Sequence, residues 1–146
     1  MTTMRYGAVD GVEKPVSRLV LGTMIISIEE RERSFALLDA AVEAGINALD
    51  TANVYAGGNS ERGIGAWMEA RGNREEMVII SKGCHHNRDR KRVTPFDLAA
   101  DIHDSLARLR TDYVDVYLLH RDDPELPVGP MVEAFNAHYE AGRIRA

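Results

Sequence analysis

The chain has 146 residues, 45% of them apolar, a net charge of −5 and one cysteine. That is the size of a single domain with an ordinary core. The acidic balance argues against a nucleic-acid partner, the lone Cys84 excludes an internal disulfide, and no apolar run approaches the ~20 residues needed to cross a bilayer.

Met4–Val9 and Glu13–Ser17 flank Asp10-Gly11, a pair that turns a β-hairpin. Leu19–Leu21 reads as a buried strand ended by Gly22-Thr23. Ser27 and Glu30 fit a capping box. Behind them Phe35, Leu38 and Val42 recur at helical spacing, and Gly45 supplies the stop. Ile46–Leu49 is a second strand. Ser60 is the expected N-cap of the next helix, with Glu61 placing negative charge at its positive end and Ile64, Trp67 and Met68 on one face. Met77–Ile80 is a third strand. His85–Val93 is a polar, basic loop of the solvated kind. Thr94-Pro95 starts a helix that Leu98, Ile102, Leu106 and Leu109 mark out. Val114–Leu119 is the fourth strand. A loop with Pro124, Pro127 and Pro130 leads to a helix with Val132, Phe135 and Tyr139, ended by Gly142, and Ile144-Arg145-Ala146 opens a fifth strand.

A strand and a helix are thus repeated four times, with strand starts near Leu19, Ala48, Val78 and Val114 recurring about every thirty residues. Glu43-Ala44-Gly45 and Glu140-Ala141-Gly142 echo each other at two helix ends. Alternation of this kind predicts a parallel sheet with right-handed crossovers. The continuous apolar strands predict that both sheet faces are covered.

Parallel strands in chain order bring their C-terminal ends to one rim, where strand-helix enzymes keep their chemistry. Asp50, Lys82 and His120 each close one apolar run, and Tyr55 lies on the loop just after Asp50. A phenol, with an ordinary pKa of ~10, is a weak acid at neutral pH, and an adjacent ammonium stabilises its phenolate. Lys82 is placed to be that ammonium, Asp50 to hold it, and His120 to orient an oxygen gaining negative charge. Such a group suits carbonyl reduction with hydride from a cofactor. Each residue alone has a blander reading: a loop-capping Asp, a packing Tyr, a surface Lys, a structural His. Their joint placement is what the bland readings do not predict. Cys84, His85 and His86 have ligand chemistry but are adjacent in sequence and lack zinc-type spacing, so no metal is expected. Asp115, inside an apolar strand and far from its C-terminal end, reads as a structural hydrogen-bonding residue.

The segments LDTANVYAGGNSE, VIISKG and DYVDVYLLHRDDP resemble the N-terminal half of the aldo-keto reductases, and the resemblance runs from about Arg5 to the last residue. It implies an α/β fold, the eight-fold (β/α)8 TIM-type barrel, entered by a hairpin that plugs the barrel bottom. Residues 1–146 would then be the N-terminal half of one barrel domain: hairpin 4–17, four β/α units over 19–142, and a fifth strand from 144. It implies NADPH-dependent reduction of an aldehyde or ketone, a small carbonyl substrate, in the cytoplasm, where the absence of an apolar leader in MTTMRYGAVDG also points. Tyr55 would be the general acid, Lys82 and Asp50 its tuning pair, and His120 the substrate-orienting group. Gly22 and Thr23, with Asp50, would touch the nicotinamide end of the cofactor, and Met24 and Ile25 would line the substrate pocket with Tyr55 and His120. In the family the residues that stack on the nicotinamide and grip the 2′-phosphate lie in the second half of the barrel, beyond the residues here. Two expectations follow: the open sheet edges of these four units pair with that second half or with a second copy, and the alternative to a reductase is an inactive half-barrel or assembly module. A metal-dependent hydrolase built on Asp50, His85, His86 and His120 is the third reading.

Overall fold

The computed structural model describes residues 3–146. An antiparallel hairpin, β1 (Tyr6–Val9) and β2 (Val12–Ser17), precedes a four-stranded parallel sheet. The sheet consists of β3 (Val20–Gly22), β4 (Ala48–Asp50), β5 (Val78–Gly83) and β6 (Val116–Leu119), side by side in chain order. Helices α1 (Arg31–Glu43), α2 (Asn59–Arg71) and α3 (Pro95–Leu109) connect consecutive strands, and α4 (Gly129–Glu140) follows β6. Beside β6 a fifth strand begins: Ile144 forms a parallel bridge to Val114, and Tyr117 N donates to Ala146 O at 3.0 Å. Strands added one by one in parallel, each followed by a helix, trace the first half of a (β/α)8 barrel.

The pleat sorts side chains between two faces. Leu49, Ile79 and Tyr117 point outward into the main core, with Leu38, Ile64, Trp67, Leu98 and Ile102 of the helices. Ala48, Val78 and Val116 point inward, where Val12 and Val16 of the hairpin pack on them. The hairpin therefore closes the N-terminal end of the lumen. Inward-facing Val20, level with Ala48 at the β3 edge, and Leu118, higher up on β6, remain 44% and 43% exposed. The prediction that both faces are covered holds for the outer face alone, because four strands curve round only part of a barrel.

Asp115 sits under the sheet at 1% side-chain exposure. It pairs with Lys14 at 2.6 Å and Arg74 at 3.0 Å and accepts from Ile79 N at 2.9 Å. It joins the hairpin, the loop before β5 and the start of β6, the structural role its sequence position suggested.

Local chemistry accounts for most element ends. Gly11 turns the hairpin at φ 85°. At the end of α1, Gly45 N donates to Val42 O and Ile46 N to Ala41 O. At the end of α4, Gly142 N donates to Tyr139 O and Arg143 N to His138 O. Both are Schellman caps with a left-handed glycine, so the sequence echo is a repeated cap. Thr94 accepts from Asp97 N at 3.1 Å with Pro95 at the first turn of α3, as predicted. Two predicted caps differ. The Glu30 carboxylate pairs with Arg33 instead of reaching back to Ser27, whose N–H donates to Ser34 Oγ at 3.0 Å; Ser27 caps only the short 3-10 turn Ile28–Glu30. Ser60 is not the N-cap of α2: the helix begins at Asn59, after left-handed Gly58, and the Ser60 hydroxyl reaches across to Thr23. Among the apolar helix markers, Leu38 is fully buried, whereas Val42, Val132 and Tyr139 lie exposed on the outside.

Helices α2 and α3 meet at Gly65. A Cβ there would lie 2.3 Å from Arg108 O and 2.8 Å from Leu109 C, both backbone. A methyl group fits only if the helices separate. Gly65→Ala is therefore expected to destabilise by about 2–3 kcal/mol, read as a lower urea midpoint. Gly129→Ala, where nothing lies within 4 Å of the added carbon, is the matched control. Equal midpoints for the two variants would show that α2 and α3 have room to spare.

Candidate active site

Register and pleat set the site. Asp50 on β4 pairs with Ile80 on β5, and Lys82 stands two residues further along on the same inward face. The ladder continues past β4: Thr51 N donates to Ile80 O at 2.8 Å and Asn53 N to Lys82 O at 3.0 Å, which carries the chain up to Tyr55. There it turns sharply, with Ala56, Gly57 and Gly58 at φ 50°, 61° and 89°. Glycine takes that backbone freely; Ala56 does so under strain. Lys82 is the hub. Its ammonium lies 2.5 Å from Asp50 Oδ1 and donates to Thr51 O at 2.8 Å and to the Tyr55 hydroxyl at 3.2 Å. It also stands 4.8 Å from the centre of the Tyr55 ring.

His120 follows β6, its backbone N–H donating to Gly83 O at 2.8 Å. Its ring meets Tyr55 edge-on, with centroids 5.8 Å apart at 84°. Burial, together with the positive charges of His85, Lys82 and Arg121, pushes its pKa down to about 4, against the pull of Asp50. His120 is thus a neutral imidazole at physiological pH. Asp50, Tyr55, Lys82 and His120, drawn from three successive strand ends, form one cluster. A carboxylate, an ammonium, a phenol and a neutral imidazole in sequence can pass a proton from the phenol to an oxygen held above it.

A family model described as the aldo/keto reductase family matches residues 18–146. The chain belongs to the aldo/keto reductase family. It is 41% identical over 115 residues to an aryl-alcohol dehydrogenase [NADP(+)] of Phanerodontia chrysosporium, an alignment covering 68% of this chain and 28% of the relative. It is 36% identical to the norsolorinic acid reductase stcV of Emericella nidulans, over 88% of this chain and 38% of that protein. The fold superposes on an aldo-keto reductase from Bacillus halodurans, solved in its holo form, with a TM-score of 0.85 and 28% identity over 97% of this chain and 48% of that one. The chain spans less than half the length of each, as a first half-barrel does.

Within this aldo/keto reductase half-barrel the remaining candidates fall in different places. Gly22 pairs with Asp50 across the sheet, and nothing lies within 4 Å of where its Cβ would be, so the space before Asp50 is open. Thr23 is fully buried; its hydroxyl donates to Asp50 O at 3.0 Å and accepts from Ser60, so its side chain holds the strand end from behind. Met24 and Ile25 stand 71% and 53% exposed on the loop after β3. Cys84 is buried, its thiol pushed up to about 12 by burial and by the Asp101 charge, and is inert as a nucleophile. Among the described residues no three His, Cys, Asp or Glu side chains gather as metal ligands. No helix among the described residues is long and apolar enough to cross a membrane.

Two contributors escaped the sequence reading, and a third was read only in part. Thr51 supplies the second acceptor for Lys82 through its carbonyl. Arg108, at the end of α3, donates to Asn53 O at 2.8 Å and packs where a Cβ on Gly58 would be, 2.6 Å from Cζ, so it clamps the Tyr55 loop from outside. Glu61, fully buried, accepts from Ser81 Oγ at 2.8 Å beside Arg108; burial raises its pKa. A charge in the first turn of α2 was legible, but its burial against β5 was not.

Proposed function

We propose that this chain is the N-terminal half of an NADPH-dependent reductase that converts an aldehyde or ketone to an alcohol, with Tyr55 as the general acid. The observation that carries the reading is the Lys82 ammonium, bonded at once to the Asp50 carboxylate and the Tyr55 hydroxyl. A phenol so placed gives its proton to a carbonyl oxygen as negative charge develops there, and the ammonium stabilises the phenolate left behind. The neutral His120 donates a hydrogen bond that holds the same oxygen over Tyr55. NADPH, when bound, supplies the hydride to the carbonyl carbon.

The residues present fit the nicotinamide end of that cofactor. The space at Gly22, opposite Asp50, is open, and Met24 and Ile25 stand exposed on the loop that follows it. The grip on the rest of the cofactor belongs to the second half of the barrel, in the same polypeptide or in a partner that pairs with the open edges of the sheet, at β3 and beyond the fifth strand that begins at Ile144. The name of one relative, an aryl-alcohol dehydrogenase [NADP(+)], points to aromatic carbonyl compounds as the substrate class.

The test is a direct one. A complete barrel containing this chain is expected to oxidise NADPH in proportion to an aromatic aldehyde supplied, measured by absorbance. The 146-residue polypeptide by itself is expected to show no micromolar NADPH binding in a fluorescence titration. No aldehyde- or ketone-dependent NADPH oxidation by the complete barrel would favour the inactive assembly module instead.

A further inference from the structure

The loop after β5 is shaped by strain and by charge. Cys84 takes a left-handed backbone, φ 61°, unusual for a side chain other than glycine. Asp101 of α3 holds it there, accepting from Cys84 N at 2.8 Å. Arg92 grips both oxygens of Asp101 and reaches His85 O at 3.4 Å. The product of this anchoring is the position of His85, whose ring stands edge-on to His120, with centroids 4.6 Å apart at 88°.

The hydrogen bonds then assign protons. His85 Nδ1 lies 2.7 Å from His86 O. A carbonyl oxygen only accepts, so Nδ1 of His85 carries a proton. His120 Nδ1 is buried and has no hydrogen-bond partner among the described residues, and the His85 ring stands edge-on against the same imidazole. An N–H at that position would have no acceptor. The proton of neutral His120 therefore belongs on Nε2. The charged and titratable groups around His120 are Asp50 on β4, Tyr55 on the following loop, Lys82 on β5, His85 beyond it and Arg121 after β6. The net positive surroundings also oppose a second proton.

We infer that His85 is a positioning residue: its anchored ring covers Nδ1 of His120, fixing that imidazole in one orientation and in the Nε2–H tautomer. The use of the Nε2–H as donor to a carbonyl oxygen rests on the reductase reading above; the tautomer itself does not. With His85 gone, water reaches Nδ1, and both the alternative tautomer and the imidazolium become accessible.

Long-range proton–nitrogen NMR of a labelled complete barrel containing this chain, followed through an acid titration, reads this without any assay of activity. Wild type is expected to show His120 as a single Nε2–H tautomer with a midpoint near the value of about 4 given by its surroundings. In His85→Ala, His120 is expected to exchange between two tautomers and to titrate closer to the ordinary ~6.5. His85→Phe keeps a ring in place and is expected to stay close to wild type. A folded His85→Ala protein with unchanged His120 signals overturns the proposal. If that variant does not fold, the wild-type spectrum decides, since a His120 already protonated at Nδ1 or mixed in tautomer overturns it equally. A complete barrel that reduces no carbonyl compound but shows the Nε2–H signature removes the reductase reading and leaves His85 its role.

Discussion

Replacing Tyr55 with Phe in the complete barrel is expected to lower carbonyl reduction by about 10³-fold, in the range typical of a positioned general acid, with cofactor binding unchanged. The change deletes one oxygen. The ring keeps its edge-on contact with His120 and its place over the Lys82 ammonium. The ion pair of Lys82 with Asp50 and its bond to Thr51 O also persist. What disappears is the proton that balances the charge on the substrate oxygen, a loss of about 4 kcal/mol in barrier terms. Steady-state kinetics with an aromatic aldehyde, paired with a cofactor titration, separates the two effects. Wild-type turnover would remove Tyr55 from its assigned role. Loss of cofactor binding together with turnover would mark the phenol as part of the scaffold.

Asp115→Asn is expected to produce the largest loss of stability, about 3–5 kcal/mol, because it leaves two cations facing a neutral amide in a closed site. Lys14 and Arg74, only 18% and 15% exposed, both converge on this carboxylate. Arg74 keeps carbonyl partners in Met77 and Tyr113, and Lys14 keeps Met77 O, so neither side chain is free to swing into water without breaking further bonds. Asparagine also turns an NH2 group toward one of the cations or toward Ile79 N–H, which now finds an acceptor on the carboxylate. A fall in the urea midpoint at constant slope is the expected reading. Glu30→Gln, at a pair with both partners more than half exposed, is expected to change stability by no more than about 0.5 kcal/mol. Similar midpoints for the two variants would show that the barrel bottom is held by the packing of Val12 and Val16 alone.

Much of this molecule was legible from short-range chemistry. Asp10-Gly11, Thr94-Pro95 and the two Glu-Ala-Gly endings specify their turns and caps through neighbours a few residues away, and the structure forms all of them. The apolar runs and their spacing foretold a parallel sheet in chain order. From that order alone Asp50, Lys82 and His120 had to reach one rim, since parallel strands share a direction.

The failures have a common cause. Ser60 and Ser27 have the composition of helix caps, and local propensity is all that a sequence window reports. Ser60 lies in the first turn of α2, but its hydroxyl finds Thr23, thirty-seven positions away, and Ser27 finds Ser34 across the entry to α1. Arg108 meets Asn53 across fifty-five positions, and Gly65 is needed by a backbone carbonyl of another helix. Such pairs leave no periodic trace, because each is created only when packed elements bring distant groups within bonding range.

The sequence by itself determined the identities and order of the candidate groups: an acid, a lysine and a histidine that each close an apolar run, and a phenol on the loop after the first of them. Only the tertiary structure decided how they act on one another. The parallel register sets Lys82 two residues beyond the Asp50 pairing, the left-handed turn at Ala56–Gly58 returns Tyr55 toward it, and the strained Cys84 swings His85 onto His120. Those are differences of a few ångströms in position. Bond formation, burial and the resulting protonation states depend on them, and a linear order of residues does not contain them.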